Sequence, residues 1–190
     1  KNKIWIGSEL GISKFDPNTR TFIRPAKLDK NSGFALINPE TFAEDHNGNI
    51  WIKLFNSNSI FQLNSKKDTT VCMNCGRDDL LKNISIQILY EDDDKTIWIG
   101  SESGLFYFDI TQDEFVPFKA NSELFQSQIT AIAKGKSGEL WIGTTQGLGK
   151  IATSSSNTVT VFIKKSGLNS ILSNTINDLN WDNEKQELWI

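Results

Sequence analysis

The chain has 190 residues, with 20 Lys and Arg against 23 Asp and Glu, a net charge of −3, a single His and two Cys. That balance leaves no broad basic field for a phosphate backbone, which excludes nucleic acid as a partner class. No apolar run approaches the ~20 residues that cross a bilayer, and no basic-then-apolar leader opens the sequence, which therefore reads as a soluble segment.

One phrase returns along the chain: Ile4-Trp5-Ile6-Gly7, Ile50-Trp51-Ile52-Lys53, Ile97-Trp98-Ile99-Gly100, Leu140-Trp141-Ile142-Gly143 and Leu188-Trp189-Ile190. The tryptophans stand 46, 47, 43 and 48 residues apart. A period in the forties is the signature of a repeat architecture, and short β-rich runs within each period fill out a four-stranded propeller blade. A blade cannot bury its faces alone, so Trp5, Trp51, Trp98, Trp141 and Trp189 are assigned to the core between blades. Each indole hides roughly 150 to 250 Å², an upper bound of about 4 to 6 kcal/mol at ~25 cal/mol per Å².

In chain order, the first repeat places strands at residues 12–16 and 21–24, followed by a long connection through Phe34. Its Gly-Ser-x-x-Gly turn recurs as Gly100-Ser101 before Gly104 and Gly143-Thr144 before Gly147. Glycine there supplies positive φ and close backbone approach. Apolar pairs open the inner strands: Pro39 and Phe42, Ile86 and Leu89, Ile129 and Ile132, Ile176 and Leu179. The second repeat departs from this pattern, reading Lys53-Leu54-Phe55-Asn56-Ser57-Asn58-Ser59 without glycine. The connections 69–83, 119–127 and 164–174 are long and variable, which on a repeated frame is where binding resides.

Cys72 and Cys75 lie in the connection 69–83. Zinc needs two further soft ligands, and with only His46 besides, no metal site is expected. A redox centre would want a strand-to-helix context that the neighbouring residues lack. A local disulfide in an oxidising compartment and two free thiols both remain open. The turn Glu44-Asp45-His46-Asn47-Gly48-Asn49 lacks the length and terminal Glu of a calcium loop. Its counterparts, Glu91 to Lys95, Lys134 to Gly138 and Asp182 to Gln186, exchange carboxylates for lysines, so all four read as hairpin turns with His46 facing solvent. Glu9 and Glu102 read as solvated turn residues. No nucleophile elbow or phosphate loop is present. No catalytic residue and no cofactor is assigned, and the chain is read as a non-enzyme.

With these residues in view, the unit Glu-Asp-x-x-Gly-x-(Ile/Leu)-Trp-Ile-Gly-(Ser/Thr)-x-x-Gly-Leu-x-x-(Phe/Tyr)-Asp, best seen from Glu91 to Asp109 and Gly138 to Leu148, resembles the two-component regulator propeller repeat. The second repeat departs from it by losing its glycines. The resemblance implies a seven-bladed propeller in the periplasmic sensor region of a membrane-anchored hybrid histidine kinase, with a glycan fragment as the sensed ligand.

The fold expected is therefore all-β, a propeller segment of about four four-stranded blades excised from a larger ring. It divides into a partial blade at 1–37, blades at 38–82, 83–127 and 128–172, and a partial blade at 173–190. The function expected is a periplasmic ligand sensor that transmits by protomer rearrangement, with an oligosaccharide ligand and self-association through exposed blade edges or propeller faces. Phe34, Phe55, Asn56, Asn58, Arg77 and Phe125 are the candidate ligand contacts, being aromatic rings, amides and a guanidinium in inter-blade loops. A protein-interaction scaffold is the alternative, and a propeller lyase or hydrolase a further one.

Overall fold

The computed structural model describes all residues except 1–2, 24–37, 56, 65, 68, 76–79, 82, 137, 153–157 and 168–169. Strands account for nearly all of the regular structure, and they fall into two compact units, Lys1–Asp78 and Asp79–Ile190.

The first unit holds two antiparallel meanders. β1 (Ile4–Ser8), β2 (Gly11–Asp16) and β3 (Thr21–Ile23) form one sheet. β4 (Pro39–Glu44), β5 (Ile50–Leu54), β6 (Ile60–Asn64) and β7 (Thr69–Cys72) form the other. Ile12, Ile50, Ile52, Phe61 and Leu63 make the core, with Trp5 and Phe42 packed against it. The stretch 69–72, expected as connection, is instead the outer strand: Val71 and Cys72 pair with Gln62 and Phe61. Its β-branched run Thr69-Thr70-Val71 suits a pleated surface better than a loop.

The second unit repeats the pattern. β8 (Ile86–Glu91), β9 (Ile97–Ser101), β10 (Gly104–Asp109) and β11 (Glu114–Pro117) make one meander. β12 (Ile129–Lys134), β13 (Glu139–Thr144), β14 (Leu148–Ala152) and β15 (Thr158–Phe162) make the next. A short 3-10 helix, Glu123–Gln126, leads into β12, and β16 (Asn180–Asp182) pairs with β17 (Glu187–Trp189).

Three chemical devices recur in these sheets. Each hairpin before a Trp strand turns through a residue with positive φ three places ahead of the indole: Gly48 (81°), Lys95 (68°), Gly138 (75°) and Gln186 (57°). The hydroxyls of Ser8, Ser101 and Thr144 donate to the carbonyls of Gly11, Gly104 and Gly147 at 3.1, 2.7 and 2.9 Å, closing the next hairpin. The first strand of each four-stranded sheet carries a β-bulge, at Glu40, Gln87 and Thr130, which bends it beside the Trp strand.

The two glycines of the turn motif have different duties. Gly104 has φ 127°, a conformation that L side chains rarely adopt. Gly100 serves close approach instead, because a Cβ there would meet Ile129 Cγ2 at 2.9 Å and Ile88 Cβ at 3.2 Å.

The indoles divide. Trp51 and Trp98 are buried, while Trp5 and Trp141 are half-buried beneath Lys14 and Lys150, whose ammonium groups lie 4.4 and 5.5 Å from the ring centres. Trp189, assigned to the core from the sequence, is 58% exposed. It stands on a two-stranded sheet in which, among the described residues, β17 pairs only with β16, with the Lys185 ammonium 5.7 Å from its ring centre.

Candidate functional site

Of the six candidate ligand contacts, Phe34, Asn56 and Arg77 lie outside the described residues. Phe125 is corrected: it is 1% exposed and belongs to the core of the second unit. Ser122 caps the 3-10 helix by accepting the Leu124 N–H at 3.2 Å, and that turn directs Leu124 and Phe125 inward. Phe125 then lies over Gly149, where a Cβ would meet its ring at 2.7 Å, and edge-on to Phe118 at 5.4 Å between centres. A polar loop with two apolar residues in succession hides a turn of helix that faces the core.

Phe55 and Asn58 are brought together in one loop, residues 55–59, between β5 and β6. Its equivalents at 9–10 and 102–103 have two residues where this loop has five. The extra length is held by a ladder of bonds. Phe55 N–H donates to Asn38 O at 2.9 Å and Ser57 N–H to Leu54 O at 3.2 Å, while Ser57 Oγ accepts the Ser59 N–H at 3.1 Å.

The loop is clasped by the segment after β7. Asn74, 8% exposed, accepts the Ile60 N–H at 2.9 Å and donates through Nδ2 to Asn58 O at 3.0 Å. Cys72 and Cys75 on either side of it are joined by a disulfide with Cα atoms 5.5 Å apart, and Cys75 Sγ lies 3.7 Å from Ser59 Oγ. A buried side-chain amide with both ends satisfied fixes a loop more tightly than contacts to solvent-facing groups would. Phe55 is nevertheless left 54% exposed.

Beneath this loop, Lys53 occupies the place held by Gly7, Gly100 and Gly143. It is 4% exposed and forms an ion pair with Glu40, the bulge residue of β4. A buried ammonium without a partner would be strongly unfavourable, so the carboxylate is a condition for lysine at this position. Glu40 itself remains exposed. Sequence reasoning marked Lys53 as a departure from the repeat without assigning it a partner. Asn74 carried no signal at all, since the burial of an amide inside Cys-x-x-Cys depends on the loop it meets.

The remaining turn residues take structural places. His46 is exposed in the β4–β5 hairpin, Glu9 is exposed, and Glu102 Oε1 accepts the Ser85 N–H at 3.3 Å. Among the described residues no group of three or more His, Cys, Asp and Glu is placed to hold a metal ion. No described helix is long and apolar enough to cross a membrane. In the second unit an open groove of about 800 Å³ runs past Phe162, Ile171, Asn177, Leu188 and Trp189.

The two component regulator propeller family model matches residues 80–103 and 123–146. No curated protein matches the sequence. Among solved structures, the chain is 18% identical to the extracellular domain of a protein described as the hybrid two component system BT3049 from B. thetaiotaomicron, with a TM-score of 0.71, covering 98% of this chain and 23% of that one. It is likewise 18% identical to the extracellular domain of BT4673 from the same organism, described as a one component system, with a TM-score of 0.69 over 98% of this chain and 24% of that one. Streptogramin B lyase is 17% identical with a TM-score of 0.64, covering 98% and 57%. The chain thus spans about a quarter of the length of the two extracellular domains. With meanders of four strands in both units, it is an all-β propeller segment, two stretches of which match the two component regulator propeller family model.

Proposed function

We propose that the chain is the ligand-sensing propeller module of a membrane-anchored two-component signalling protein, placed outside the cytoplasm and responsive to a glycan-derived ligand. The observation that carries this reading is the pair of two component regulator propeller matches in consecutive repeats. The fold shared with the extracellular domain of BT3049, described as a hybrid two component system, supports it. Ligand binding would act by favouring one arrangement of protomers over another, which requires unequal affinity for the two.

The module contributes recognition rather than chemistry, and the placing of its single histidine, His46, in an exposed turn supports that reading. Thermal-shift screening of the chain against a panel of defined oligosaccharides is the test. A ligand selective for the native state raises the melting temperature by mass action, by about 2.7 kcal/mol of added stability at a hundredfold excess over Kd. No shift with any glycan, together with capture of a protein partner, would favour the scaffold reading. Turnover of a streptogramin would favour a lyase, the reading that draws on the likeness to streptogramin B lyase.

A further inference from the structure

We infer that Phe55 and Glu40, at one end of the second repeat's sheet, form a subsite for a neutral saccharide, with Phe55 as the stacking platform and the Glu40 carboxylate as the hydroxyl acceptor. The inference rests on the sensor reading and deepens it by naming a place and a ligand class.

Three independent features converge there. Phe55 is 54% exposed, which leaves its ring open to a ligand from solvent. Residues 57–60 beside it are held by the doubly bonded Asn74 amide and by the Ser57–Ser59 bond, with the Cys72–Cys75 disulfide flanking Asn74. Finally, the Phe55 N–H is bonded to the carbonyl of Asn38, two residues before Glu40, so the ring and the carboxylate belong to one end of the same sheet.

The charge arrangement selects the ligand class. Lys53 is buried against Glu40, and the two charges cancel. An ionised carboxylate has about four lone-pair positions, so Glu40 keeps acceptor capacity toward solvent after pairing with Lys53. Sugar hydroxyls are donors of the right kind, and the apolar C–H face of a pyranose matches a phenyl ring. A uronate would bring a second carboxylate toward Glu40 while the adjoining ammonium is already engaged, an arrangement of like charges that disfavours binding.

The test titrates the chain calorimetrically with galactotetraose, xylohexaose and maltohexaose as neutral probes and with trigalacturonate as the acidic one. At least one neutral probe should bind, and bind more tightly than trigalacturonate. Phe55→Ala and Glu40→Gln should each weaken it about tenfold, while Phe55→Trp retains affinity. Far-UV circular dichroism checks that the variants keep the fold. In the unaltered chain, nuclear Overhauser contacts should run from the Phe55 ring to sugar ring protons. Neutral-probe affinity that survives both Phe55→Ala and Glu40→Gln overturns the subsite and leaves the sensor reading standing. Preference for trigalacturonate overturns the assigned ligand class, and failure of every neutral probe to bind overturns the subsite, while the wider oligosaccharide panel separately decides the sensor reading.

Discussion

The indole N–H of Trp98 donates to Oδ2 of Asp92 at 2.7 Å, and Trp51 makes the same bond to Asp45 Oδ2 at 3.1 Å, each across six residues. The carboxylates also hold the turn, Asp45 Oδ1 accepting the N–H groups of Asn47 and Asn49 and Asp92 Oδ1 that of Thr96. One aspartate therefore shapes the hairpin and satisfies the buried polar atom of the core residue that follows. In the next repeat the place is taken by Gly135, and the buried Trp141 Nε1 has no partner among the described residues.

That difference ranks two substitutions of the same chemistry. Trp98→Phe removes a bonded N–H and leaves Asp92 Oδ2 without that donor, whereas Trp141→Phe removes a group with no partner among the described residues. Loss of a partner from a buried polar group costs about 1–3 kcal/mol. Trp98→Phe should accordingly lower the unfolding free energy by more than Trp141→Phe, by roughly that amount, in parallel urea titrations. Equal losses would show that the bond contributes nothing net.

Asp92 also predicts a pH dependence. Burial raises its pKa above the ordinary 3.8, against the opposing donation from Trp98 and Thr96. A carboxyl with a raised folded pKa holds its proton more tightly in the folded state than in the unfolded one. Stability therefore falls as pH rises from about 3.8 through the folded value and is level above it. Asp92→Asn should remove this slope while still accepting one of the two hydrogen bonds, and acid unfolding curves followed by tryptophan fluorescence will show it.

Asp109 carries the opposite sign. The Thr111 hydroxyl, then the Gln112 side chain, donate to its exposed carboxylate at 2.6 and 2.7 Å and hold its pKa down to about 2. Its contribution is present above the ordinary carboxylate value and is lost as pH falls toward 2. In Asp109→Asn, the resonance-detected titration at this site disappears and the acid limb of the stability curve becomes shallower between pH 3.8 and 2.

Gly100 tests the close approach of neighbouring sheets. Its Cβ position lies 2.9 Å from Ile129 Cγ2, and the equivalent position on Gly143 lies 2.7 Å from Ile176 Cγ2. Both facing groups are branched side chains buried in the same unit, with little room to withdraw. Gly100→Ala should destabilise by about 1–3 kcal/mol through overpacking. Pairing it with Ile129→Ala, which removes the Cγ2 methyl facing the new Cβ, should relieve the clash, so that the double variant loses less stability than the two single losses add up to.

Much of this architecture was legible in the one-dimensional chain. The Trp-Ile-Gly spacing implied short antiparallel strands, because a period in the forties leaves room for four strands and their turns and for little else. Pro39, Ile86 and Ile129 could be aligned as residues that open inner strands, whereas Ile176, aligned with them in the sequence, lies ahead of β16 and outside any strand. The aspartates of the Trp clasp were visible only as turn formers, since their burial depends on which way the indole of the following strand lies.

The second repeat shows the same boundary at the candidate site. Its missing glycines were plain, and Phe55 and Asn58 could be nominated from their residue types. That Lys53 would be buried rather than solvated, and that its counter-ion would be the bulge residue thirteen positions earlier, required the pairing of β4 with β5. Phe125 and Trp189 erred in opposite directions for a single reason. Local pattern reports whether a side chain is apolar, but whether it is covered depends on what the tertiary fold sets against it. Composition, repeat period and strand content were thus determined by the sequence itself, through steric and hydrophobic preferences that act within a few residues. Burial, charge pairing and the exposed ring of the candidate site were decided only in three dimensions, where each free energy belongs to a contact between distant parts of the chain.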